Sequence, residues 1–488
     1  MQDTIGFDMD NTEKTDKILL LESYKNNVLR FIERCVPSDG VFDEEAFKAA
    51  GGKNVRGSGS DKFIIPKEKR IVKTLTLKER TKNNYWAFSS TPGGVESIEG
   101  NHSAIEALYL LGELDTLTDE DKANWADYIN SFQDETTGYY LGPYIPDESD
   151  PSWSDASVNT HPWYHMHEHL IACLCPAMML LGAKSRYKLS KGSMTGRYLD
   201  EDFLKDYLYN RDWNNYKFDL NFRRHNPWWM GNEFWNAGCI LWQIATWEEG
   251  TKEGDKARKL LDEIWYKWHD ENIGITGFWY GDLKADKEKI WHHVMDTGFE
   301  TLSPKTSDEY YWISAPIMGG AHQLWLYAYE NHHIPDELRK RQTDMILLLQ
   351  RNDGLFGLKA PDDPLSYNDN TIDTDCMTLL ALNYNRIDYR REDIKKALKK
   401  AALSIFKYKI NDYGVLESRM EVGFGHNFNS VPTLSPANWG NMINMSFYFW
   451  PLICAFNLLD KSECPELSEF IDYDWPQPVS HYLWFMKR

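Results

Sequence analysis

Six apolar helices, each opening on a polar and aromatic turn, recur along this chain of 488 residues, and that recurrence limits its fold more than any other feature. Their starts fall near Asn101, Trp163, Trp228, Glu309, Asp373 and Asn438, at spacings of 62 to 81 residues. After its first turn each is apolar on every side, as in 170–181, 317–329 and 445–459. A helix without a polar face has to be buried all round. Between these runs lie charged, two-faced helical patterns near 119–132, 201–209, 252–268, 335–350 and 391–408. Alternation of fully buried helices with half-buried ones predicts a closed ring of helical hairpins. Six inner helices make that ring an all-α (α/α)6 toroid, expected over residues 100–488.

The first 99 residues read as a separate segment packed on the ring. Residues 17–36 carry helical spacing of Ile18, Leu21, Tyr24, Val28 and Ile32. Residues 37–99 read as irregular, with a short strand expected at 70–77. Pro176, Pro316 and Pro451 lie inside apolar runs and are expected to kink or interrupt their helices.

Composition narrows the partners. With 74 acids against 54 bases the net charge is -20, which argues against nucleic acid and anionic membrane surfaces. Twenty Trp and 27 Tyr exceed what a helical core needs, so some are expected to line a cavity for a small molecule. Seven Cys form no CxxC pair and no regular framework, which favours reduced, buried thiols. The amino terminus has no basic and apolar leader pattern, and no apolar run is long enough to span a bilayer. A cytoplasmic location is therefore expected.

Several charged helices end in a glycine turn: Gln133-Asp134…Gly138-Tyr-Tyr, Gly277-Phe-Trp279, Gln350…Asp353-Gly354-Leu-Phe and Asn411-Asp-Tyr-Gly414. Glycine there supplies the positive φ of a helix C-cap, and the following aromatic folds back on the hairpin. On these turns the chain resembles the terpenoid cyclase and protein prenyltransferase superfamily over roughly residues 100–460. The turns, with Gly277-Phe-Trp-Tyr280, are also similar to those of six-hairpin glycoside hydrolases.

Chemistry in such a ring is expected where the inner helices begin, because their free N–H groups and positive dipole ends converge there. Asp373-Thr-Asp375 resembles the Asp-x-Asp-Asp acid motif of class II terpene cyclases. The resemblance implies Asp375 as the proton donor to an isoprenoid alkene, held by Asp373; Cys376 stands where the motif has its fourth-position Asp. The same two aspartates also suit helix capping. His161-Pro-Trp163-Tyr-His165-Met-His167-Glu168-His169 is the densest titratable stretch, and His165 and His169, four apart, share a helix face. His165 is taken as an acid or base. A divalent metal needs a third ligand, for which Glu168, Asp373 and Asp375 are candidates; without one, no cofactor is expected. Glu233 joins the candidate catalytic set with Asp373, Asp375 and His165. Asn101, His102, Trp163, His169, Asn226, Trp228, Trp229, Tyr310, Tyr311, Trp312 and Trp439 form the expected substrate-binding lining. Asn101-His102 and Asn226-Pro-Trp-Trp229 are also similar to the funnels of toroidal polysaccharide lyases, in which Asn neutralises a uronate.

Three readings follow. The first is a terpenoid cyclase-like enzyme, with aromatic walls around a carbocation. The alternative is a hydrolase or lyase acting on a uronate-containing oligosaccharide, with Trp stacked on sugar rings. The third is a non-catalytic binding module.

Overall fold

The computed structural model describes residues 20–38, 72–94, 96, 98–141, 162–210, 226–274, 276–279, 307–356, 371–408 and 442–476. Among these the protein is all-α, and extended pairing is limited to isolated bridges at turns. The helices in chain order are α1 (Leu21–Arg34), α2 (Leu77–Asn83), α3 (Ile98–Leu111), α4 (Asp119–Asn130), α5 (Pro162–Leu180), α6 (Glu201–Tyr209) and α7 (Asn226–Trp247). They continue as α8 (Lys252–Leu260), a π-helical stretch Leu261–Tyr266, α9 (Lys267–Asn272), α10 (Ser307–Tyr329), α11 (Asp336–Leu348), α12 (Thr371–Arg386), α13 (Arg391–Tyr408), α14 (Met442–Phe456) and α15 (Ser468–Asp472).

The helices apolar on all sides are the ones buried on all sides. In α3 every residue except Tyr109 is buried. These inner helices contact one another in sequence: α3 on α5, α5 on α7, α7 on α10, α10 on α12, α12 on α14, and α14 back on α3. The tightest crossing is between α7 and α10. A Cβ added to Gly231 would lie 2.3 Å from the Gly319 Cα, so the two backbones meet with no side chain between them. Gln323 Nε2 donates to the Gly231 carbonyl across that crossing at 2.9 Å.

The two-faced helices are held at their starts by the residues their sequences place there. Thr118 and Asp121 form a capping box on α4, Asp200 caps α6, and Thr251 caps α8. Thr76 and Glu79 form another on α2. That box accounts for a correction. The described part of the expected strand at 70–77 is extended but unpaired as a strand, because Thr76-Leu-Lys-Glu79 starts a helix there. Pro176, Pro316 and Pro451 interrupt nothing: α5, α10 and α14 run on through them, because packing on neighbouring helices outweighs one lost hydrogen bond.

α1 is joined to the end of the chain as well as to α3. Its Tyr24 ring lies 5.8 Å from Phe406 of α13, 5.7 Å from Phe449 of α14 and 6.0 Å from Phe470 of α15. Lys25 Nζ donates to the Tyr473 hydroxyl at 2.8 Å. The helix thus packs beside both α14 and α3.

The glycine turns share one geometry. Gly138, Gly277 and Gly354 all have φ between 82° and 95°, the left-handed region that favours glycine. Gln133 Nε2 donates to the Tyr187 carbonyl and its Oε1 accepts from the Tyr187 N–H. Gln350 Nε2 donates to the carbonyls of Gly354 and Ala397. Each glutamine therefore fastens its turn to a segment about one hairpin further along.

Candidate functional site

The turns also hook the next inner helix, and this decides which acids face outward. Phe356 N–H donates to Asp373 Oδ1 at 2.7 Å. Asp373 is thus a fastening between the α11 turn and α12, not a partner aimed at Asp375. Residues two apart on a helix lie about 200° apart around it, so Asp375 projects to the opposite side of α12. It is fully buried there. Burial, and then the carboxylates of Asp375 and Asp373, push the Cys376 thiol well above its ordinary range.

Glu168 has the matching role on α5. Its carboxylate accepts from the hydroxyls of Tyr139 at 3.0 Å and Tyr198 at 2.8 Å, and from Arg197 Nη2 at 2.5 Å. Glu168 is thereby held in a clamp of two hydroxyls and one guanidinium. Its neighbour His167 stacks on Tyr139, with centroids 5.0 Å apart. Asn101, expected in the lining, accepts at Oδ1 from Trp125 Nε1 of α4 at 2.9 Å.

With Glu168 pinned outward, His169 is carried about 100° round α5. Its Nδ1 lies 3.1 Å from Asn236 Oδ1 of α7, inside the bundle. The ring of Trp235 is 5.4 Å away and that of His322, on α10, 6.2 Å. His322 lies in turn 5.3 Å from Trp235 and 4.6 Å from Trp325, and Trp325 lies 5.5 Å from Trp450 of α14. On α3, His102 Nδ1 is 4.0 Å from Glu106 Oε1. Glu99, His102 and Glu106 follow one another at i, i+3 and i+7, the spacing of one helix face. Five inner helices thus bring imidazoles, indoles, an amide and a carboxyl to one buried region.

Electrostatics in this region favour neutral forms. Burial, reinforced by His169, pushes His102 down to about 3. Burial and His169 also lower His322 well below its ordinary value, while its bond to the Met318 carbonyl acts weakly the other way. Burial raises the Glu106 carboxyl well above the ordinary range. Neutral imidazole beside neutral carboxyl is the state that low-dielectric surroundings select. Neutral amides add hydrogen-bonding capacity. Asn232 Oδ1, Asn236 Nδ2 and Gln323 Oε1 are buried and have no hydrogen-bond partner among the described residues.

Glu233 is also fully buried, on α7. Trp163 and His165 lie in the opening turns of α5, Asn226, Trp228 and Trp229 open α7, and Tyr310, Tyr311 and Trp312 open α10. The side chains of those eight residues, and Trp439 altogether, fall outside the described residues. The sequence reading missed Glu99, Glu106, Asn236 and His322. The available signal was polar residues in the body of apolar runs, above all the Glu99-His102-Glu106 stripe.

Among the described residues no cluster of His, Cys, Asp and Glu is arranged to hold a metal ion. No helix among them is long and apolar enough to cross a membrane. All seven cysteines are buried and free of disulfides. No protein-family model, curated protein or solved structure matches the chain.

Proposed function

We propose that the chain is a carbohydrate-active acid–base enzyme built as an (α/α)6 toroid, acting on a hydroxyl-rich, uronate-containing oligosaccharide as a hydrolase or lyase. The cyclic order of inner-helix contacts supports the toroid, with α1 completing the outer layer between α14 and α3. The observation that carries the chemistry is the neutral polar interior. A hydroxylated ligand needs hydrogen-bond donors and acceptors in pairs, and buried amides and imidazoles supply both. Indoles supply the apolar faces on which sugar rings stack. His169, His102 and Glu233 are the residues assigned to proton transfer and substrate orientation.

The same interior argues against the terpenoid reading. A carbocation survives only where no base is within reach. His322 donates through Nδ1 to the Met318 carbonyl at 2.8 Å, and so keeps a lone pair on Nε2. Amide oxygens of Asn232 and Gln323 are further acceptors. The cyclase-like alternative keeps one specific support, the full burial of Asp375, as an alkene-protonating acid requires. Incubating the protein separately with uronate oligosaccharides and with prenyl diphosphates tests the choice. Cleavage with new reducing or unsaturated ends is the expected result. Cyclised hydrocarbon from the prenyl substrate, with glycans untouched, would overturn it.

A further inference from the structure

Inside the proposed site, and resting on that reading for its catalytic meaning, one pair of side chains has a defined proton arrangement. We propose that Asn236 fixes His169 as the Nδ1–H tautomer, which makes Nε2 the proton-accepting atom of the site and Asn236 its positioning residue. The contact joins two helices, His169 on α5 and Asn236 on α7, at 3.1 Å, and both side chains are buried. An amide oxygen only accepts, so the shared proton sits on Nδ1. Nε2 then carries the lone pair.

The rest of the geometry makes that orientation stable. Trp235, next to Asn236, packs edge-on against the imidazole, with ring centroids 5.4 Å apart. The Glu168 clamp on Arg197, Tyr139 and Tyr198 fixes the rotation of α5 one residue away. Asn236 Nδ2 remains as a buried donor with no hydrogen-bond partner among the described residues. Imidazole Nε2 and amide Nδ2 therefore offer one acceptor and one donor, the complement of a hydroxyl group, which donates one bond and accepts another. Substrate recognition by this pair is recognition of a hydroxyl, whose O–H donates to Nε2 while its oxygen accepts from Nδ2.

Titratable groups on the helices packed against α5 include Glu99, His102, Glu106 and Tyr109 on α3 and Glu233 and Cys239 on α7, and His322 of α10 lies beside the His169 ring. Glu106 is kept neutral by burial. A carboxylate put at position 236 would be a new negative charge in direct contact with the imidazole.

The test is NMR of nitrogen-labelled histidine in the full chain, with the His169 signal assigned by its loss in His169→Gln. Wild type is expected to show a protonated Nδ1 and a lone-pair Nε2. Asn236→Asp is expected to move the His169 titration upward by about 1–3 pH units, because an adjacent carboxylate favours the imidazolium. Asn236→Leu is expected to lose the single tautomer. A wild-type Nε2–H tautomer overturns the proposal whether or not either Asn236 variant folds, and so does a folded Asn236→Asp that titrates like wild type. Failure to cleave any glycan would sink the carbohydrate reading and leave the tautomer result standing, so the two failures are distinguishable.

Discussion

Acid should unfold this protein through its buried imidazoles, with a slope set by a small number of identifiable protons. His102 and His269 are each held down to about 3 by burial, and His322 is lowered well below its ordinary value of 6.5. A histidine depressed in this way is neutral in the native state, but takes up a proton below 6.5 once the chain unfolds. Its contribution is therefore complete above pH 6.5 and is lost as the pH falls toward 3. Glu106 works in the opposite sense. Its raised value keeps a proton in the native state that the unfolded chain has already released above 4.5, so its contribution is lost as pH rises. Between about pH 6 and 5 the three imidazoles take up protons on unfolding while Glu106, with Glu33, Glu96 and Asp262, whose carboxyls burial also raises, releases them, and the slope is the difference. Urea denaturation at closely spaced pH values measures that slope directly. Glu106→Gln removes one opposing proton and should change the slope by about 1.4 kcal/mol per pH unit toward greater loss in acid. His269→Gln, which removes one imidazole, should change the slope by about 1.4 kcal/mol per pH unit in the opposite direction. An unchanged slope in Glu106→Gln, or a steeper one in His269→Gln, would refute the assignment of neutral His and neutral Glu.

Three further outcomes follow from the packing. Arg197→Met leaves Glu168 buried with two hydroxyl donors but no cation, and should cost about 3–5 kcal/mol in chemical denaturation; adding Glu168→Gln should recover most of it. Gly231→Ala places a methyl against the Gly319 backbone and should cost at least about 1–3 kcal/mol, far more than alanine at an open helical glycine. Asp373→Ala orphans the Phe356 amide and should lower stability by about 1–3 kcal/mol, a loss that Asp375→Asn does not reproduce through that bond.

The helical plan was legible because burial on all sides leaves a direct mark on sequence. Expected inner starts at Asn101, Trp163, Trp228, Glu309 and Asp373 lie within three residues of the observed ones at Ile98, Pro162, Asn226, Ser307 and Thr371. Outer patterns at 201–209 and 391–408 match α6 and α13 in full. What the sequence concealed was direction and partnership. Asp373 and Asp375 read as a pair, yet residues two apart on a helix diverge, and the partner of Asp373 is a turn amide 17 residues upstream. Glu168 read as a possible ligand because nothing local reveals Arg197, 29 residues on, as its cation. The place of α1 depends on contacts with Phe449 and Phe470 at the far end of the chain, which no local periodicity encodes. Attention to helix entrances also drew the reading away from helix bodies, where Glu106, Asn236 and His322 lie.

The most direct measurement compares uronate-oligosaccharide turnover by wild type, His169→Ala and Asp375→Asn, with folding of each verified by circular dichroism. The account predicts turnover by wild type, loss of about two to four orders of magnitude in His169→Ala as for a missing acid–base group, and retained activity in Asp375→Asn. A His169→Ala variant as active as wild type would contradict it, as would cyclisation of a prenyl diphosphate that Asp375→Asn abolishes.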